Sequence, residues 1–275
     1  MSQQSMFDRL FSHYETPSPL ARWNPAAKAI AIFGASLILT VIFDPLTPLA
    51  LLLLSIAITV VLGRVSLGPL LAGLGPAVAL AAGLVWTNVL FGRPGGQVWW
   101  QWGPLALSES SLITGLSLGL RVLCFASYSL MFLTSTEPSR FILSLILQLK
   151  VPYRFGYAML AVYRFLPMLG YEFMLIRGAQ RIRGASERGG ITGWLQQMVR
   201  YTIPLLAAAI RRAERVAIAM EARGLGPGLR RTYYRSPSLR PVDIGAAFAL
   251  VAVNALVLVV SGKLGILRIW RGQLY

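Results

Sequence analysis

Two arginines, Arg183 and Arg223, are the residues whose type and position most directly predict binding chemistry. Each lies at the end of a long helical pattern and is followed by glycine, within residues 180–184 and 219–224. A guanidinium group presents a planar fork of donors that fits a carboxylate or the free carbonyl groups of a helix end. The same pattern also ends ordinary helices, because arginine complements the helix dipole and glycine accepts the left-handed conformation.

The two arginines together indicate more than either one alone. Each helical pattern has about 30 residues and would be on the order of 45 Å long. If the helices are antiparallel neighbours, their C-terminal ends point in opposite directions and the arginines lie tens of ångströms apart. Small residues near the arginines would let each helix end enter a groove closely: Ala179, Ala217, Ala219 and Ala222. This arrangement favours two matched binding sites on cytosolic partners over a catalytic centre.

Common catalytic patterns are missing from the chain. The sequence has no phosphate-binding loop, no His-Glu-x-x-His pattern and no paired aspartate motif. One Gly-x-Ser-x-Gly pattern, at residues 115–119, lies inside an apolar stretch, which favours helix packing over a nucleophile elbow. The chain has one histidine, one cysteine and 10 acidic residues, which leave few ways to build a hydrolase. We therefore predict a non-catalytic protein with no cofactor and no metal site.

The composition predicts an integral membrane protein. Of the 275 residues, 56% are hydrophobic and only 13% are charged, whereas about 25% are charged in a typical soluble domain. Five apolar stretches approach the roughly 20 residues that cross a bilayer: 29–43, 48–62, 67–90, 112–133 and 244–260. The net charge of +16 comes from clusters that these stretches separate, which argues against nucleic-acid binding and fits cytoplasmic loops.

These stretches divide the chain into three regions. Residues 1–134 hold the N-terminal segment and transmembrane helices one to four, and residues 241–275 hold the last transmembrane helix and a tail. Residues 135–240 between them are expected to form a cytoplasmic or interfacial coupling module. The predicted fold is all-α, with about five transmembrane helices plus two long helices and a shorter amphipathic helix. Arg22 and Lys28 favour a cytoplasmic N-terminus.

Several motifs, in this order, resemble the transmembrane T component of energy-coupling-factor transporters, the family of CbiQ and EcfT. The N-terminal match is Leu-Ala-Arg-Trp-Asn-Pro with Lys28, in which Ala21 and Asn24 replace the family's His and Asp. The other matches are Val-Pro-Tyr-Arg at 151–154, Arg-Phe-Leu-Pro at 164–167, Ile-Pro-Leu at 203–205 and Ala-Met-Glu-Ala-Arg-Gly at 219–224. The resemblance covers nearly the whole chain.

The resemblance implies a role for each matched residue. Family members carry two Ala-Arg-Gly motifs that dock onto two ATPase subunits. The second stands here intact and the first has Ile in place of Ala: Ile182, Arg183 and Gly184, then Ala222, Arg223 and Gly224. The same helices supply supporting residues, Arg181, Ala219 and Glu221, and structural residues, Arg164, Pro167 and Pro204.

The resemblance also implies partners and a location. The expected partners are two ABC ATPase subunits, a substrate-binding membrane S component and the lipid bilayer, with no nucleic acid. The expected location is the cell membrane, and the expected process is uptake of a vitamin or of a transition metal such as cobalt or nickel. ATP hydrolysis would be the work of the partner subunits.

Two other functions remain open at this point. A conventional ABC importer permease would line the solute path itself and would usually be present in two copies. A membrane-embedded lipid or prenyl enzyme could use Arg121, Arg154 and Arg164 to bind phosphate. We expect Arg121, which lies inside the fourth apolar stretch, to have a structural role instead, in an ion pair or by reaching the membrane surface.

Overall fold

The computed structural model describes residues 18–40, 42, 44–92, 98–102, 105–183, 191–225 and 237–263. These residues form nine helices and one short hairpin. The helices are α1 Pro19–Arg22, α2 Pro25–Thr40, α3 Leu46–Val61, α4 Leu67–Phe91, α5 Glu109–Ser135, α6 Pro138–Gln148, α7 Tyr153–Ile182, α8 Ile191–Ala222 and α9 Pro241–Lys263.

The hairpin lies in the connection between α4 and α5. Strand β1, Val98–Trp102, pairs antiparallel with β2, Leu105–Ser108. Trp100 is opposite Leu107, and an irregularity interrupts the register between Val98 and Trp100. The all-α fold predicted from the sequence did not include this hairpin. The fold is otherwise helical, so the all-α membrane fold is confirmed.

Four helices of the described residues are long and apolar enough to cross a membrane: α4, α5, α7 and α9. The chain is therefore a multi-pass membrane protein. Two of the predicted spans correspond to α2 and α3, which have 16 residues each, somewhat short of the roughly 20 that cross a bilayer directly. The predicted spans did not include α7, because the arginines at its C-terminal end favoured a cytoplasmic location.

The chain divides into two compact units. The first unit combines residues 1–144 and 237–275, and the second unit comprises residues 145–236. The core of the first unit lies among α2, α3, α5 and α9, around fully buried apolar side chains such as Leu39, Leu51 and Met131.

Small residues allow α4 and α5 to approach closely. A Cβ atom added to Gly115 would lie 3.2 Å from the backbone of Val85, and one added to Gly119 would lie 2.9 Å from the Val85 side chain. Ser117, between them, is buried and donates a hydrogen bond to the Asp44 carbonyl at 3.1 Å. The packing interpretation of this Gly-x-Ser-x-Gly pattern is confirmed, since the serine is not on an exposed turn.

Buried polar contacts lock the first unit together. Asn24 caps α2, because its Oδ1 accepts hydrogen bonds from the Ala26 and Ala27 amides. The backbone amide of Asn24 donates to Asp243 Oδ1 at the start of α9. The Trp23 indole donates to the Asp243 carbonyl at 2.8 Å. The N-terminal motif therefore holds α2 against α9.

Lys28 has a structural role that its charge alone did not predict. The side chain is 0% exposed. Its Nζ donates to the Ser135 carbonyl and hydroxyl, each at 3.0 Å, and to the Thr136 hydroxyl at 3.1 Å. These three acceptors satisfy the ammonium group, which would otherwise be costly to bury. Lys28 thus fastens α2 to the C-terminal end of α5.

Arg121 also has a structural contact. It lies on α5, and its guanidinium donates to the Ile42 carbonyl between α2 and α3. That carbonyl follows the end of α2, where backbone acceptors have no partner within the helix. Arg121 therefore has a structural contact with a backbone carbonyl, whereas the expected ion pair or membrane-surface position stays a prediction.

Candidate functional site

The first predicted site is the C-terminal end of α7. The helix runs through Pro167 without interruption and ends at Ile182. Arg183 occupies the C-cap position, and its amide donates to the Ala179 carbonyl at 3.2 Å. Ile182 is 89% exposed and Arg183 is exposed as well. Gly184, the third residue of this predicted motif, lies outside the described residues.

The second predicted site is the C-terminal end of α8. Gly224 has a φ of +82°, in the left-handed region. Its amide donates to the Glu221 carbonyl, and the Leu225 amide donates to the Met220 carbonyl, both at 2.9 Å. These two bonds define a Schellman motif, with Arg223 at the C-cap. Glycine is thus required at this position to end the helix.

The helix cap does not use the arginine side chain. The hydrogen bonds that end α8 are made by backbone groups, and Arg223 is exposed. Within the part of the chain that the structure describes, neither Arg183 nor Arg223 has a hydrogen bond or ion pair from its guanidinium. Five donors on each arginine therefore remain available for another molecule.

Side chains join α7 and α8 near the middle of both helices. Arg212 forms an ion pair with Glu172 at 3.3 Å, and its guanidinium carbon lies 5.9 Å from the centre of the Phe165 ring. The rings of Phe173 and Tyr201 meet edge to face at 5.7 Å. No sequence pattern had predicted these contacts, although Glu172, the lone acid of α7, is a usable signal.

The order of these contacts fixes how the helix ends are arranged within the second unit. Phe165 lies near Arg212, whereas Phe173, later in α7, lies near Tyr201, earlier in α8. This opposite order is that of antiparallel helices. Each terminal arginine is about ten residues beyond the contact region, or roughly 15 Å of helix. The two arginines therefore extend in opposite directions from this contact region.

The other predicted site residues lie on the same two helices. Arg164 and Pro167 are exposed on α7, and Pro204 is half-buried within α8, which continues through it. Arg181 lies in the last turn of α7, and Ala219 and Glu221 lie in the last turn of α8, all three exposed. Exposed small and polar residues thus surround each terminal arginine.

Large apolar side chains are also exposed along α7 and α8. They include Phe155, Val162, Tyr171, Ile203 and Ile218, each at least 60% exposed. Much of the apolar surface of the helix pair is therefore exposed, which would be unfavourable in water. This surface is suited to lipid or to another membrane protein.

Comparison with known proteins identifies the family. The CbiQ family model, described as cobalt transport protein, matches residues 16–234. The energy-coupling factor transporter transmembrane protein EcfT of Limosilactobacillus fermentum is 31% identical over 87% of this chain and 92% of its own length. The EcfT proteins of Streptococcus thermophilus and Lactococcus lactis are 29% and 26% identical, over 85% and 89% of this chain and 90% and 94% of their own lengths. The chain therefore belongs to the CbiQ family of membrane transport proteins.

Proposed function

We propose that this protein is the T component of an energy-coupling-factor transporter, an ABC importer, and that it couples two cytosolic ATPase subunits to a separate substrate-binding membrane subunit. The observation that carries the proposal is the pair of exposed arginines, Arg183 and Arg223, at the C-terminal ends of two antiparallel helices. EcfT relatives of similar length support the same role.

Each arginine would bind one ATPase subunit. At the end of α8, the Schellman motif holds Arg223 on a fixed backbone, so the guanidinium can enter a groove at little entropic cost. At the end of α7, Ile182 stands in place of the alanine of the family motif and is almost fully exposed. Its side chain would add apolar contact beside Arg183. Charge-assisted bonds to carboxylates would hold each contact.

The contact region between α7 and α8 would transmit the motion of the ATPases. When the two ATPase subunits close on ATP, the two docked ends are displaced relative to each other. Two contacts join the helices: the ion pair of Arg212 with Glu172 and the ring contact of Phe173 with Tyr201. A displacement of one helix would therefore move the other. We assign this coupling module to residues 135–240.

The substrate-binding subunit would use the exposed apolar surface of the module. Many exposed side chains of α7 and α8 are large and apolar, so they would pack well against the helices of an S component. That subunit would select the substrate, a vitamin or a transition metal such as cobalt or nickel. The present chain would neither hydrolyse ATP nor require a cofactor. It would lie in the cell membrane with a cytoplasmic N-terminus.

Co-purification of the transporter from cells tests this proposal. Arg183→Glu and Arg223→Glu should each lower the affinity for the ATPase subunits roughly 30-fold or more, because a reversed charge would face the partner's carboxylate. Arg211→Glu, at an exposed position within α8, is the matched control and should retain binding. Wild-type recovery of the ATPases with both helix-end variants would contradict the proposal.

Copy number separates the T component from a conventional permease. The proposal requires one copy of this chain for each pair of ATPase subunits, together with a distinct substrate-binding membrane protein. A conventional permease would supply two copies and no such subunit. The mass of the intact complex measures the ratio directly. Two copies of this chain per ATPase pair would favour the permease.

A further inference from the structure

An apolar groove crosses the surface of the first unit, bordered by α1, α3 and α9. Its volume is about 520 Å³. The walls are made of aliphatic side chains, among them Ile58 of α3, Leu62 directly after α3, and Leu250 and Val253 of α9. Ala246 and Ala249 create the concave surface, since their small side chains leave space between the larger ones.

Two arginines lie at one end of this groove. Arg22 closes α1 and Arg240 directly precedes α9, and both line the groove and are exposed. In the ranges that the structure describes, neither guanidinium has a hydrogen bond or an ion pair. The groove is thus amphipathic, with cations at one end and hydrocarbon along its length.

The acidic residue lining the groove is already engaged. Asp243 Oδ1 accepts from the Asn24 amide and Oδ2 accepts from the Arg240 amide at 3.0 Å. The residue is only 7% exposed. Its charge is therefore held by backbone donors instead of by the arginine side chains, and the mouth of the groove keeps an excess of positive charge.

The length of the groove matches half of a bilayer. Its α9 wall runs from Val242 to Val253, and these residues span roughly 16 Å of helix. The hydrocarbon core of a bilayer is about 30 Å thick, so one leaflet contributes about 15 Å. Trp23 also lines the groove, but it is buried and its indole donates to the Asp243 carbonyl, so it belongs to the wall.

We propose that this groove binds one anionic phospholipid. The acyl chain would lie along α9 over Ala246 and Ala249, and the phosphate would contact Arg22 and Arg240. The charge of the mouth, the apolar walls and the one-leaflet length favour this ligand. The groove shares no residue with the helix ends of the second unit. The lipid proposal can therefore fail without affecting the ATPase-docking proposal, and the reverse is also true.

Lipid retention by the full-length protein tests the site. The protein is placed in nanodiscs of phosphatidylcholine with roughly one-fifth phosphatidylglycerol, and retained lipids are counted by native mass spectrometry. The wild type should retain phosphatidylglycerol in preference to phosphatidylcholine. Arg22→Gln/Arg240→Gln should lower that retention roughly 25-fold, because each arginine near an anionic lipid contributes about a fivefold change.

Two further variants separate the groove from general charge attraction. Arg64→Gln/Lys263→Gln removes the same charge from exposed positions of the first unit outside the groove and should leave retention unchanged. Ala249→Phe fills the groove while keeping both arginines, and it should also lower retention. Equal retention of the two lipids by the wild type, or equal losses in the groove and control variants, would overturn the proposal.

A photo-crosslinker at position 249 in the intact membrane identifies the occupant. Benzoylphenylalanine in place of Ala249 should label phospholipid. If it labels a membrane protein instead, the groove is a protein interface and the lipid proposal is wrong.

Discussion

Lys28 of the first unit and the two helix-end arginines of the second unit use their positive charge in opposite ways. In the first unit, Lys28 is fully buried and its ammonium group is surrounded by three oxygen acceptors. In the second unit, Arg183 and Arg223 are exposed at helix ends. All three side chains are cations. Burial and hydrogen-bond partners, and not charge, therefore distinguish a cation that stabilises the fold from one that is available to another molecule.

The same contrast extends to apolar packing. In the first unit, α4 and α5 approach so closely that glycine is needed at the contact. In the second unit, α7 and α8 meet through a few side chains and leave many large apolar residues uncovered. Both units expose large apolar side chains, but the first unit also has a buried core, whereas Gly156 is the one buried residue of α7.

The largest stability effect is expected where the buried cation is removed. Lys28→Met keeps the length of the side chain but leaves the acceptors at Ser135 and Thr136 without their donor. We expect a loss of about 3 kcal/mol in the free energy of unfolding, because bonds to charged groups are strong and unpaired buried acceptors are costly. Thermal unfolding in detergent measures it. An unchanged midpoint would show that Lys28 does not fasten α2 to α5.

A pair of glycine substitutions compares the packing of the two units directly. Gly115→Ala should destabilise the protein by about 2 kcal/mol, because its Cβ would lie against the Val85 backbone. Gly178→Ala, in α7, has nothing within 4 Å of the added Cβ and should stabilise that helix by about 0.5 kcal/mol. Thermal unfolding tests the first variant and hydrogen exchange in α7 tests the second. Equal effects at both positions would remove the proposed difference in packing.

A smaller effect is expected at the end of α8. Gly224→Ala places a Cβ at a φ of +82° and should cost about 1 kcal/mol, whereas Gly224→Asn should cost less because asparagine tolerates this region better. Hydrogen exchange of the Leu225 amide, which closes the Schellman motif, reports the loss. Unchanged protection in Gly224→Ala would mean that the motif does not depend on glycine.

Much of this architecture was predictable from the sequence. Apolar stretches predicted most of the membrane helices, and the final stretch, residues 244–260, falls within α9. The glycine of the second motif predicted its helix end, since few residues accept a positive φ. The resemblance to CbiQ and EcfT was carried by short motifs in a fixed order, and the comparisons confirm it.

Other features depend on contacts between distant residues. The bond from Trp23 to the Asp243 carbonyl joins residues 220 positions apart, and no local pattern encodes such a pair. The burial of Lys28 was not predictable either, because a lysine before an apolar stretch is also typical of the membrane surface. The apolar character of α7 was underestimated because arginines mark its end. The roles of the site residues stay predictions.

The central claim is that Arg183 and Arg223 act outside the chain, on the ATPase subunits. The most direct test measures ATPase capture and thermal stability on one preparation of Arg183→Glu/Arg223→Glu, with Arg211→Glu/Arg215→Glu as the control of equal charge. We predict that the helix-end variant loses the ATPases and keeps the unfolding midpoint of the wild type, whereas the control keeps both. Full capture of the ATPases by the helix-end variant would contradict the claim.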